Sequence, residues 1–476
     1  MNREQFIKSY VKDIRSGKAA VFAGAGLSAS AGYVNWATLL KDIAQQLGLD
    51  SYKEGNDLPA LAQYYRNEVK SRNELTELIL NEFNDIHLPG ERHHKLVHLP
   101  IHTFWTTNYD HLLEKALKDV GKIADVKKDD SSFTHSLKKV DATVYKMHGD
   151  VIDPAKTVLL KEEYENYPFS HPTMQSALKL DLLCKNFLFV GFSFTDPNLS
   201  QILGNLLALR SIQGYEHRTH YCILRKASQN EGETDDDFHY RQRKEELFAN
   251  DLQRLGIQTV WIEQYEELDT IINELHKEYY KRTVFISGAA HIYEPWGKDK
   301  AEEFVFKLSQ RLVSEGFRLV SGYGLGIGNS VVCGAMDQIY MKEKRQLTDE
   351  IITRPFPQGI KDFKRSWRQH REDMISYSGI SLFIFGNKIK DGEVILSDGM
   401  QEEYEISERQ GNILIPIAST GYKAKELYDK LMKDHDNEKL YNSHPKLWDA
   451  VSNEAAYKDI NELVDNVMAL IRSVVI

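Results

Sequence analysis

A chain of 476 residues is too long for one ordinary hydrophobic core, and roughly 150 residues per domain leaves room for two or three. With 70 acidic against 60 basic residues the net charge is −10 at pH 7, which removes the clustered Lys and Arg that a nucleic-acid partner requires. Apolar stretches such as residues 187–192 fall far short of the roughly 20 that cross a bilayer, so no membrane is expected and a cytoplasmic location is.

The amino terminus lacks the basic-then-apolar order of a secretory signal and reads as an amphipathic helix ending near Gly17. Short runs rich in β-branched and aromatic residues then recur at 19–23, 103–106, 143–147, 187–190, 219–224 and 259–262, separated by longer amphipathic stretches. That alternation predicts a doubly wound parallel sheet covered by helices over residues 1–280. The polar stretch from Lys226 to Asp237 reads as a surface loop. At Lys281-Arg282 the pattern restarts. Strands are predicted at 283–286, 317–320, 351–354, 381–385 and 413–417 and helices at 301–316 and 329–340, giving a smaller α/β domain over 281–476. The three cysteines, Cys184, Cys222 and Cys333, have no neighbour at metal-ligand spacing, so neither a disulfide framework nor a metal site is proposed.

In the first domain a polar cluster follows each of four strands, and strand ends of a doubly wound sheet line one crevice. Ala23-Gly24-Ala25-Gly26-Leu27-Ser28 follows the first. Its glycines bring backbone amides close enough to hold a pyrophosphate, although alone it is only a tight strand-to-helix turn. Thr107-Asn108-Tyr109-Asp110 supplies an amide for a ribose or a water, with Asp110 orienting the loop or capping the next helix. His148-Gly149-Asp150 offers an imidazole, which accepts protons near neutrality. Gly191-Phe192-Ser193-Phe194-Thr195-Asp196 ends with a hydroxyl suited to a phosphate or ribose and a possible helix cap. His93, His94 and His102 read as ordinary core or surface residues.

The order of these clusters resembles the sirtuin (SIR2) family. The resemblance implies NAD+ as substrate, Asn108 and His148 as catalytic residues, and Ala23, Gly24, Ala25, Gly26, Ser28, Asp110, Gly191 and Ser193 as NAD-binding. The chain departs from protein-deacylating sirtuins at two points. It lacks their four-cysteine zinc module, and their Gly-Ile-Pro-x-Phe-Arg segment is replaced by Gly32-Tyr33-Val34-Asn35-Trp36. Water capture of the ribose, yielding ADP-ribose, is therefore expected in place of deacylation.

In the second domain Ser321-Gly322-Tyr323-Gly324-Leu325-Gly326-Ile327-Gly328 follows a strand and opens a helix, where amides and helix dipole favour an anion. It lacks the Gly-x-Gly-x-x-Gly spacing of a redox dinucleotide site. Arg371 and Lys388 can neutralise phosphates, and Glu403 can accept from a ribose or an adenine amine. With Ser287, Gly288, Ala289, Gly322, Gly324 and Gly326 they resemble the activator-binding residues of a SLOG nucleotide-sensing domain.

A sirtuin-like domain followed by a SLOG domain resembles the NAD-hydrolysing effectors of the Thoeris antiphage system. That likeness covers essentially the whole chain, including Val-Gly-Phe-Ser-Phe-Thr-Asp-Pro-Asn-Leu at 190–199 and Arg-Pro-Phe-Pro-Gln-Gly at 354–359. It implies that a TIR-domain partner makes a cyclic ADP-ribose isomer, which binds the second domain as allosteric activator and releases NAD+ hydrolysis in the first. It also implies homotetramers through the sirtuin-like domains, higher-order assembly on activation, and no cofactor beyond the substrate. Two other readings stay open: an NAD-dependent protein deacylase, and a non-catalytic nucleotide-binding scaffold.

Overall fold

The apolar runs of the first half assemble into one seven-stranded sheet in which every pairing is parallel. Its strands are β1 (Ala19–Ala23), β2 (Thr103–Thr106), β3 (Ala124–Lys127), β4 (Ala142–Lys146), β5 (Asn186–Val190), β6 (His220–Arg225) and β7 (Ile257–Ile262), in the order β3-β4-β2-β1-β5-β6-β7. This computed structural model describes residues 1–54, 57–84, 87–213, 218–230, 232–341, 350–356, 363–434 and 443–475. It divides into two compact units, Met1–Tyr279 and Tyr280–Ile476.

Central β1 and β5 are buried along their whole length, because helices cover both faces of a parallel sheet and leave no side for water. Phe22, Trp105, Phe187 and Phe189 fill the core beneath, with Phe22 and Phe189 stacked at 5.3 Å. The first helix, Arg3–Arg15, buries Phe6, Ile7, Tyr10, Val11 and Ile14 at helical spacing, and Asn2 caps it through the Gln5 amide. Chain order reverses between β1 and β5, whose onward connections run to opposite sides of the sheet, and a crevice forms at the strand ends where that reversal falls.

The second unit repeats this plan with β8 (Thr283–Ala289), β9 (Arg318–Ser321), β10 (Ile351–Thr353), β11 (Ile380–Phe385) and β14 (Ile413–Pro416). Their order, β10-β9-β8-β11-β14, puts the reversal between β8 and β11. β12 (Asn387–Lys390) and β13 (Glu393–Leu396) form a separate antiparallel hairpin. The helix Lys298–Ser314 buries Ala301, Phe304, Val305, Leu308 and Leu312, and Gly328–Met341 follows the glycine-rich loop.

Three expectations need correction. β3 was not predicted, since at the sheet edge it carries Asp125 and Lys127 and is only part-buried, as edge strands that resist aggregation commonly are. The β12–β13 hairpin is a further addition: its signal is Asp391-Gly392, both at positive φ, between two four-residue strands too short to stand out as apolar runs. The acidic run before Asp237 is not all loop: Thr234 caps the helix Asp235–Arg254 through the Asp237 amide, and Asp235–Asp237 form its first turn, where negative charge meets the positive end of the helix dipole. Residue 231 of that stretch, and residues 357–359 of the Arg-Pro-Phe-Pro-Gln-Gly segment, lie outside the described residues.

A pH dependence of stability follows from the first unit's packing. His276 Nε2 lies 3.1 Å from His98 Nδ1, and burial, with Lys95 adding like charge, lowers the His276 pKa to about 4. An unfolded histidine titrates near 6.5. The folded state therefore binds the proton less readily, and the stability held by neutral His276 is complete above pH 6.5 and drains away as pH falls towards 4. Thermal melts across that window are expected to show the decline, and His276→Gln to make it shallower.

Candidate functional site

In the first unit the strand ends converge on a cavity of about 570 Å³, within the size range of small-molecule sites. Ala25, Gly26, His148, Gly191, Ser193 and Asp196 line it. The loops after β1 and β5 touch backbone to backbone: a Cβ on Gly24 would lie 2.3 Å from Gly191 O, so any larger residue would force them apart. That contact also spends the amides expected to hold pyrophosphate. Gly24 N donates to Val190 O and Gly26 N to Gly191 O, both at 2.9 Å. Ala25, at the first position of the helix Ala25–Ala29, has no intrahelical acceptor for its amide and lines the cavity.

His148 is buried, its ring edge-on to Tyr164 at 5.1 Å between centroids and near Trp36 at 6.4 Å. Its Nε2 lies 2.8 Å from Asp196 Oδ2 but out of hydrogen-bond alignment, so this is a charge contact that becomes attractive once the imidazole takes a proton. Asp196 Oδ1 meanwhile accepts from Leu199 N at 2.7 Å and caps the helix Pro197–Gln213, fixing the carboxylate. On the other side Tyr164 Oη stands 3.4 Å from His148 Nδ1. Burial first, and the Asp196 charge second, push the Tyr164 hydroxyl well above its usual pKa and keep it protonated.

Asn108 occupies a different place. Its Nδ2 donates to Gly24 O at 3.0 Å and Ser28 Oγ at 2.8 Å, and Ser28 Oγ donates to Asp110 Oδ2 at 2.7 Å. Asp110 Oδ1 accepts from Leu112 N at 2.9 Å, starting the helix Leu112–Asp119. Ala23, Ser28, Asn108 and Asp110 border a narrow space of about 10 Å³ next to the β1 and β2 ends and do not line the larger cavity. Ser28 and Asp110 are both buried, and their hydrogen bonds hold Asn108 in place.

Below these loops, His111, Glu114 and Asp150 approach one another closely enough to suggest a metal site. A protein cation already serves them. Lys146 Nζ lies 2.7 Å from Asp150 Oδ2 and 3.3 Å from Glu114 Oε1, and His111 Nε2 lies 2.8 Å from Asp150 Oδ1. Burial disfavours the Asp150 charge, but His111, Lys146 and the Ile152 amide outweigh it and hold the carboxyl well below the usual range.

Sequence reasoning missed Trp36, Tyr164 and the far wall of the cavity, where Arg225 at the end of β6 stands 4.7 Å over the Tyr265 ring. The strand-end rule that singled out the other clusters, applied to β6, would have found Arg225.

In the second unit Arg371 is the hub. It is buried, its Nη1 donates to Glu402 Oε2 at 2.7 Å and its Nε to Glu403 Oε1 at 3.4 Å, and its guanidinium lies 4.9 Å from the Phe356 ring centroid. Ser287 Oγ donates to Glu403 Oε2 at 2.5 Å. Burial raises the Glu403 pKa against the opposing pull of Ser287 and Arg371. Both glutamates sit on the helix Asp398–Gln410, in its second turn. Lys388, on β12, pairs with Asp398 at that helix's first position. Gly322 faces Phe356, which joins the glycine-rich loop to Arg371. At Gly324 the glycine is required by packing, since a Cβ would lie 1.9 Å from Gly288 O. The loop is thereby pressed onto Gly288 and Ala289, and Ala290 N donates to Leu325 O at 2.8 Å.

Fold and site define a two-domain protein, a SIR2-like α/β domain followed by a SLOG domain. Residues 102–249 match the SIR2-like domain family, and residues 267–474 match the Sir2- and TIR-associating SLOG family. NAD(+) hydrolase ThsA of Bacillus cereus (strain MSX-D12) is 44% identical over 98% of both chains, and that of Acinetobacter baumannii (strain 532279) is 42% identical over 98% of this chain and 97% of its own. NAD(+) hydrolase ThsA of Enterococcus faecium is 41% identical over 100% of this chain and 99% of its own. The chain belongs to the ThsA family of NAD(+) hydrolases.

Proposed function

We propose that the chain cleaves NAD+ to nicotinamide and ADP-ribose at the first unit, under control of a cyclic ADP-ribose isomer bound at the second, and so depletes NAD+ in defence against phage. The observation that carries the catalytic half is His148, walled into a strand-end cavity between Asp196 and Tyr164 in a chain whose relatives are named NAD(+) hydrolases.

Chemically, the bond from ribose C1′ to the nicotinamide nitrogen breaks with its electron pair going to nicotinamide, and water adds to C1′. The water's surplus proton must leave, and His148 accepts it, becoming an imidazolium beside the Asp196 carboxylate. Asn108 borders the narrow space beside the cavity with its Nδ2 anchored to Gly24 and Ser28, and the sirtuin resemblance gives it the role of orienting the water or the ribose from there. Arg225 and Tyr265 offer a positive, aromatic surface for the adenosine end.

The regulatory half rests on Arg371, whose fork suits a phosphate. The TIR-domain source of the signal, assembly as a homotetramer and cytoplasmic action belong to the same proposal. The described residues contain no helix long and apolar enough to cross a membrane.

The test is NAD+ consumption by the purified chain, resolved by chromatography, with and without cyclic ADP-ribose isomers. Nicotinamide and ADP-ribose released only with an isomer are the expected outcome. Binding of both ligands without cleavage would mark a scaffold, and nicotinamide release stimulated only by an acyl-lysine peptide would mark a deacylase.

A further inference from the structure

Lys146 closes β4 in that strand's inward-facing register, alongside Ala142 and Val144, where an apolar side chain would be expected. It is fully buried. An ammonium so far from water is strongly disfavoured unless the fold supplies partners, and here it supplies four. Nζ donates to Tyr109 O at 2.9 Å and Asp110 O at 2.6 Å, and pairs with Asp150 at 2.7 Å and Glu114 at 3.3 Å. The two carbonyls belong to the loop that carries Asn108, and Asp150 belongs to the loop that carries His148.

We propose that Lys146 is a positioning residue that staples the Asn108 loop to the His148 loop and so sets the relation between the two groups acting on NAD+. The proposal rests on the hydrolase reading above. A route to Asn108 is continuous: Lys146 holds the Asp110 backbone, the Asp110 carboxylate holds Ser28 Oγ, and Ser28 Oγ accepts from Asn108 Nδ2. A route to His148 runs through Asp150, two residues on, which His111 and the Ile152 amide also hold. Two further ties between the loops are His111 Nε2 to Asp150 Oδ1 at 2.8 Å and Val151 N to Tyr109 O at 3.2 Å, and each ends on a group that Lys146 also holds. Loss of the ammonium therefore leaves both loops joined but free to shift.

The experiment measures kcat and KM for NAD+ in the full-length chain with a cyclic ADP-ribose isomer, comparing wild type, Lys146→Met and Lys146→Gln, each checked by thermal melting. Methionine keeps the length without donors, and glutamine keeps donors for the carbonyls without charge. A misplacement of about 1 Å costs about 100-fold in rate. Lys146→Met is expected to lose about that in kcat with KM within about threefold, and Lys146→Gln to recover about tenfold of it. Wild-type kcat in Lys146→Met overturns the inference and leaves the hydrolase reading standing. Equal kcat loss in both variants, tracking their melting temperatures, also overturns it, because the role is then structural. If Lys146→Met does not fold, Lys146→Gln decides alone: a lower kcat at unchanged KM supports the staple, and a wild-type kcat overturns it. No cleavage by wild type with any isomer overturns the hydrolase reading and this inference with it.

Discussion

His148→Ala is expected to cut NAD+ cleavage by about 10²–10⁴-fold, the contribution of a positioned acid–base group, in a chain that still folds. The reaction releases a proton from water, and the imidazole is the group walled into the cavity with Asp196 at 2.8 Å to stabilise its charged form. The substitution removes a buried ring packed on Tyr164, so a lower melting temperature is expected alongside. Asn108→Ala is the companion. It removes two hydrogen bonds, to Gly24 O and Ser28 Oγ, at about 1 kcal/mol each, while Ser28 keeps its bond to Asp110. A loss of about 2 kcal/mol in stability is therefore expected, leaving a chain that still folds, while turnover should vanish. Retained turnover in both variants would take these residues out of the chemistry.

The second large effect is expected at Arg371. Arg371→Ala should abolish the response to a cyclic ADP-ribose isomer while leaving NAD+ binding by the first unit intact, as titrations of the two ligands would report. Its guanidinium is held by Glu402 and Glu403 and lies against Phe356, so the fork is fixed before a ligand arrives. Alanine would leave Glu403, buried and with a raised pKa, without its cation. Arg371→Lys should restore charge but not the planar fork, and is expected to respond only weakly. A full response in Arg371→Ala would remove the second unit's cluster from activator recognition.

The α/β class was legible because parallel strands buried on both faces must be almost wholly apolar over their short length, as residues 19–23 and 187–190 are. The polar clusters after those strands were legible for a related reason, since small and polar residues stand out after such runs. β3 was not legible, because an edge strand carries charge and imitates a loop. Nor could the sequence tell which amides were still available. Gly24 and Gly26 read as pyrophosphate donors, yet Gly24 donates to the last residue of β5 and Gly26 to the first residue after it, far away along the chain.

The sequence by itself determined two α/β units, the order of the strand-end clusters, and the absence of a four-cysteine metal module, because each depends on local pattern or count. Tertiary structure alone decided the roles. It set Asp196 beside His148, turned Ser28 and Asp110 into supports for Asn108, and made Lys146 a buried clasp. In the sequence Lys146 looks like any surface lysine of Lys-Met-His-Gly-Asp. What a charge does depends on whether water or another charge stands opposite, and only the fold brings those partners within 3 Å.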